Sequence, residues 1–121
     1  MIVLPFPDRN LSPNGRLHWR KVADAKRKAR SDAYALATLA LSLRDKRAIA
    51  AREGKIAIFV RFFPPDNRRR DDDNMVAGFK AYRDGLADAL GIDDNRFSPT
   101  YQFMDPDKPG RVEVVICSSD G

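Results

Sequence analysis

From Arg20 to Arg52 the chain runs without a glycine or a proline through a stretch dominated by alanine, leucine, lysine and arginine. Alanine and the unbranched side chains lose little freedom in a helix, and nothing here interrupts the backbone ladder, so the composition predicts one long helix. Its first half is basic: Lys21, Lys26, Arg27, Lys28 and Arg30 are opposed there by Asp24, while Tyr34, Leu36, Leu39, Leu41 and Leu43 thicken the apolar content of the second half. A helix of that length takes up over a quarter of the 121 residues, and what remains must supply the surface it packs on.

Met1 to Phe6 reads as a strand with Ile2, Leu4 and Phe6 on one face, followed by a polar loop over residues 8–18 in which Pro13, Asn14 and Gly15 are turn formers. Lys55 to Phe63 alternates, with Ile56, Ile58, Val60 and Phe62 on one side and Ala57, Phe59, Arg61 and Phe63 on the other, until Pro64 and Pro65 stop it. A charged loop over 66–74 leads to a second helix from about Met75 to Leu90, with Asn74 as its expected N-cap and Gly91 its terminator. An extended stretch over 96–104, a turn over 105–110 and a last strand with Val112, Val114 and Ile116 on one face complete the chain. The expected class is mixed α/β (α+β), one domain over residues 1–121, with a small mixed sheet covered by two helices.

Composition narrows the environment. Cys117 is the only cysteine, so no intrachain disulfide and no cysteine-based zinc site can form, and a reducing, cytoplasmic location is expected. Met1 to Phe6 is too short for a signal-peptide core and Ala33 to Leu43 too short for a membrane helix, so no membrane partner is expected. Residues 1–53 carry 12 basic and 5 acidic groups, a net of +7, whereas residues 54–121 carry 10 basic and 12 acidic groups, a net of −2. A basic half beside an acidic half suits a polyanion next to a cation site.

The carboxylates concentrate in Asp71-Asp72-Asp73-Asn74 and in Asp93-Asp94. They read either as a salt-bridged turn, compensated by Arg68, Arg69 and Arg70, or as oxygen ligands for a hard divalent cation. In an extended loop Asp71 and Asp73 would point the same way and Asp72 elsewhere, and the chain would have to turn back after Gly91 to present Asp93 or Asp94. Lys80 lies about 9 Å along the helix axis from Asn74. Leaning toward the helix N-terminus, it would reach a phosphate held by the metal; alternatively it makes an i,i+4 pair with Asp84.

Arg70-Asp71-Asp72-Asp73-Asn74, then Lys80-x-x-x-Asp84-Gly85-Leu86, then Asp93-Asp94 resemble the RusA family of Holliday junction resolvases, whose pattern is R-D-x-D-N, a helical K-x-x-x-D-x-L, and D-D. Leu4-Pro5-x-Pro7, Leu11-Ser12-Pro13-Asn14 and His18-Trp19 are similar to the N-terminal part of its phage and prophage members. The resemblance implies a RusA-like fold and a homodimeric, Mg²⁺-dependent endodeoxyribonuclease (Mn²⁺ substituting), a hydrolase that resolves four-way junctions by paired nicks in DNA recombination and repair. It implies Asp71, Asp73 and Asp94 as metal-binding catalytic carboxylates and Lys80 as the catalytic lysine. Two positions depart from the pattern: Asp72 fills the variable place, leaving the Asp71 or Asp72 pairing open, and Lys80 follows Asn74 by six residues where some members have three. Asp93 stays an alternative to Asp94.

Branched DNA is the expected partner, held by Arg16, Lys21, Lys26, Arg27, Lys28, Arg30, Arg68, Arg69 and Arg70. His18-Trp19 reads as packing or as a DNA contact, and the lone histidine argues against a nuclease built on several histidines. No G-x-x-x-x-G-K-[ST] is present, so no nucleotide cofactor is expected. Pro65-Asp66 begins a restriction-type nuclease motif but no acid-x-Lys strand follows, and a DNA-binding module without catalysis is the other rival.

Overall fold

A computed structural model describes residues 1–11 and 19–117 of the chain. Its elements in order are β1 (Ile2–Pro5), a 3-10 turn (Arg9–Leu11), α1 (Trp19–Ala40), α2 (Leu43–Ala50), β2 (Ile56–Phe63), α3 (Asp72–Leu90), a second 3-10 turn (Asp94–Arg96), β3 (Phe97–Phe103) and β4 (Arg111–Ile116). The class is mixed α+β, as expected, with three helices in place of two. Pro13, Asn14, Gly15, Arg16 and His18 lie outside the described residues.

The long helix is two. It breaks at Leu41-Ser42, where Ser42 is extended (φ −69°, ψ 162°) and its hydroxyl accepts from the Asp45 N–H at 3.0 Å, while the Asp45 carboxylate accepts from the Ser42 N–H at 3.3 Å. This reciprocal pair satisfies two donors that a new helix start leaves open, so the chain restarts without glycine or proline.

The four strands form one sheet in the order β1-β4-β2-β3, with β4 antiparallel to both β1 and β2, and β3 parallel to β2 across the α3 crossover. The two strands that contain proline, β1 with Pro5 and β3 with Pro99, are the edges, where a missing N–H costs no ladder bond. Ile56, Ile58, Val60 and Phe62 of β2 are fully buried under the helices with Val112 and Val114 of β4. The opposite face is more open and gathers Val3, Phe59, Phe63 and Val115, with Phe59 opposite Val115 in the register.

Phe79 and Tyr82 tie α3 to this core: the Phe79 ring meets Phe62 edge-on at 6.2 Å and Tyr101 at 6.1 Å, and the Tyr82 hydroxyl donates to the Pro5 carbonyl at 2.9 Å. α1 packs along α3 and also reaches β1 at the edge of the sheet. The α1–α3 contact is made by small residues, buried Ala29, Ala33 and Ala37 on α1 against Gly85 on α3, which lets the two backbones approach closely.

Candidate active site

α3 begins earlier than Asn74 suggests. Asp71 is the N-cap, extended at φ −85° and ψ 129°, and its carboxylate accepts from the Asp73 N–H at 3.0 Å. Asp72 and Asp73 therefore occupy the first turn, where negative charge is favoured by the helix dipole. The expectation of an extended loop with Asp71 and Asp73 side by side is thereby corrected: one is a cap turned onto the backbone and the other is helical. Arg70, expected to compensate the three aspartates, pairs instead with Asp66 at 2.9 Å and lies over the Phe6 ring at 5.3 Å. Asp66 is held below the usual carboxylate range by the Arg68 N–H and the Arg70 guanidinium.

At the other end of α3 the chain turns back after Gly91. Gly91 takes the left-handed conformation (φ 68°, ψ 34°) and closes the helix through bonds to the Ala87 and Asp88 carbonyls. Asp93 then caps the following 3-10 turn, its carboxylate accepting from the Asn95 N–H at 3.0 Å, which leaves Asp94 to face the helix. The turn is pinned from two sides. Arg83 donates to the Asp94 carbonyl at 3.0 and 3.1 Å and to the Phe97 carbonyl at 3.3 Å, and Arg96 donates to the Gly54 carbonyl at 2.9 Å.

Lys80 joins these pieces. Its ammonium donates to Asp84 at 2.7 Å and to the Asp94 carboxylate, and the Arg83 guanidinium stands 3.8 Å from the same Asp94 oxygen. Lys80 thus points toward the C-terminal end of α3, not toward Asp71 as a leaning side chain would. The hydrogen bond from Lys80 holds the Asp94 carboxyl below its ordinary range, and Asp84, then Asp94, raise the lysine. By spacing, Asp73, Lys80 and Asp84 share one face of α3, Asp73 standing two turns or about 10 Å before Lys80.

Asp71, Asp73 and Asp94 are oxygen donors suited to a hard divalent cation. Among the described residues, however, no three acidic, histidine or cysteine side chains are grouped closely enough to hold an ion. What the fold brings together is Lys80 with Asp84, Asp94 and Arg83, and beside it Arg30 of α1, bound to Asp88 at 2.6 and 2.9 Å. The Arg30–Asp88 link escaped sequence reasoning because its partners are 58 residues apart.

The basic candidates do not form one stripe. At 3.6 residues per turn, Lys26 and Arg30 look toward α3, whereas Lys21 and Lys28 lie on another flank of α1. Arg27 pairs with Asp24 at 2.9 Å and Lys28 with Asp32 at 2.7 Å. Arg68, Arg69 and Arg70 line a separate hollow of about 430 Å³ with Phe6, Pro65 and Asp71. Gly78 separates that hollow from a larger one between α1 and α3; a Cβ there would stand 3.2 Å from Pro7. Among the described residues no helix is long and apolar enough to cross a membrane.

No family model matches the chain. It is similar to an uncharacterized protein of Xylella fastidiosa, 46% identical over 100 residues, an alignment that takes in 79% of this chain and 61% of the length of that protein.

Proposed function

We propose that the chain is a RusA-like, Mg²⁺-dependent endodeoxyribonuclease that nicks branched DNA, working as a cytoplasmic homodimer. The observation that carries the reading is the return of the chain after Gly91, which sets Asp94 and not Asp93 against Lys80, on the helix face that begins at Asp73. Asp71, Asp73 and Asp94, which are not grouped here, would have to converge to hold the cation, which when bound would supply an activated water and neutralise charge on the scissile phosphate. Lys80 contributes a fixed positive charge for the oxyanion that develops, and Asp84 and Arg83 orient Lys80 and Asp94. Lys26 and Arg30 face the same side and supply sequence-independent attraction for the DNA backbone. A C2 dimer gives two cutting centres for two strands, and the open sheet face with Val3, Phe59 and Val115 supplies an apolar surface for it.

Cleavage of a synthetic four-way junction in Mg²⁺, with linear duplex and single strand as controls, tests the reading. Paired nicks that vanish with chelator support it; cutting that survives excess chelator, or no cutting in Mg²⁺ and Mn²⁺, refutes it. Sedimentation of the DNA-free protein tests the dimer, and a 13.6 kDa species at micromolar concentration refutes that part. A second reading, a DNA-binding module without catalysis, is favoured by the lack of a grouped ligand set among the described residues. It expects tight junction binding with no nicks in either metal.

A further inference from the structure

N-terminal to the close approach of α1 and α3 at Ala33 and Gly85, the two helices leave a cleft of about 650 Å³ between them. Its floor is apolar: Leu11 and Val22 on one side, Ala77, Gly78 and Ala81 on the other, residues too small to fill the space. Its walls carry the charged side chains of Lys26, Arg27, Arg30, Lys80 and Asp84. Arg30 and Lys80 are already neutralised by Asp88 and by Asp84 with Asp94, and Arg27 by Asp24. Lys26, exposed beside the floor, makes no ion pair among the described residues.

An apolar floor beside Lys26, a cation without an ion pair among the described residues, fits a ligand that has a flat apolar face and an anion on the same unit. Duplex DNA offers phosphates, sugars and base edges but no base face, because its bases are stacked inside, whereas an unpaired nucleotide offers a base face and a phosphate together. The volume lies in the range of sites that enclose a small organic group. We propose that the α1–α3 cleft seats an unpaired deoxynucleotide, its base on Ala77, Gly78 and Ala81 and its phosphate at Lys26. This rests on the nuclease reading above and adds to it a physical basis for preferring branched DNA, whose stacking is interrupted at the crossover so that a nucleotide there is more easily extruded, over plain duplex. Lys80 lines the cleft and also holds Asp94, so an occupant would lie directly beside the proposed cutting centre.

Trp19, the only tryptophan, is 69% exposed one helical turn before Val22 and reports on the cleft mouth. The full chain is titrated with an oligothymidylate of about eight residues and with a linear duplex, following Trp19 emission. The expected result is quenching by the single strand. Ala77→Leu, at an exposed position where leucine is a good helix former, should weaken single-strand binding about tenfold and duplex binding less than about twofold. Lys26→Glu should weaken single-strand binding independently, and Lys46→Ala on α2 should leave both affinities as they were. Unaltered single-strand binding by Ala77→Leu overturns the proposal, as does an equal loss for duplex, which would place a duplex backbone in the cleft. Junction cutting with Ala77→Leu-insensitive oligothymidylate binding defeats the cleft alone; Ala77→Leu-sensitive binding with no cutting defeats the nuclease reading and keeps the cleft.

Discussion

Replacing Gly85 by alanine should loosen the frame that carries both halves of the site. A Cβ at this position overlaps the Arg30 carbonyl oxygen and stands 2.8 Å from the Ala33 Cβ and 3.0 Å from the Arg30 carbonyl carbon. Ordinary carbon contacts need about 3.5–4.0 Å, so α1 and α3 must part by about 1 Å. Neither obstacle is the end of a flexible side chain, so the strain cannot relax by a rotamer change. Overpacking of this kind costs about 1–3 kcal/mol, and a gap of 1 Å forfeits part of the dispersion made by Ala29, Ala33 and Ala37 along the same contact. Alanine returns up to about 1 kcal/mol through helix propensity. The balance is a loss of about 1–3 kcal/mol, which for a chain of this length lowers the melting temperature by about 5–15 °C. Urea unfolding followed by circular dichroism measures it, with Gly91→Ala as comparison: that residue has φ 68° but nothing within 4 Å of a built Cβ, so its loss of about 1 kcal/mol is backbone strain alone. A Gly85→Ala protein as stable as the parent would refute the claim that this glycine sets the α1–α3 distance.

Ser42→Ala removes the cap that restarts the chain at α2 and should cost about 1 kcal/mol, with hydrogen exchange in residues 43–50 accelerated; unchanged protection there would show that α2 is held by packing alone. Asp94→Asn should abolish junction nicking while binding persists, and Asp93→Asn should not, because only Asp94 meets Lys80; the reverse pattern in a gel assay would move the site by one residue. Burial raises the Tyr82 hydroxyl to about 12, above its ordinary 10. The folded state keeps that proton longer than the unfolded state, so the contribution is intact below pH 10 and is lost as pH rises toward 12, at up to about 1.4 kcal/mol per pH unit. Tyr82→Phe should be less stable at neutral pH, having lost its bond to Pro5, but show a shallower fall above pH 10 in urea titrations; an unchanged slope would clear Tyr82 of the effect.

The sheet was legible because its strands alternate. Lys55 to Phe63 reads within one residue of β2, and the buried set Ile56, Ile58, Val60 and Phe62 is the set that alternation selects. The helices were less so, for reasons of local chemistry. Ser42 and Asp45 carry a helix start inside a run that composition alone reads as continuous, since the cap replaces the glycine or proline that usually marks a boundary. At α3 four successive residues, Asp71 to Asn74, are all good N-caps, so capping preference does not choose among them. The core decides: Met75 and Phe79 must both be buried, and beginning the helix at Asp72 gives Met75 a full turn of support before it enters.

The arrangement of the candidate site residues is not legible in the sequence, and the position of Lys80 shows why. A lysine three residues after Asn74 would stand at Ala77, whereas here it stands at position 80. Three further residues turn the helix through about 300° and advance it about 4.5 Å, so the side chain stays near the acidic face but moves one turn from the Asp71–Asp73 end toward the Asp84–Asp94 end. Spacing can give that displacement; it cannot say which way the side chain then points. The choice is made by residues with no motif value of their own: Arg83, whose guanidinium grips the Asp94 carbonyl, and Arg96, which holds the turn to Gly54. Together they deliver the Asp94 carboxylate to the lysine. Ala77, small and exposed where the shorter spacing would place the lysine, is thereby left as floor of the α1–α3 cleft.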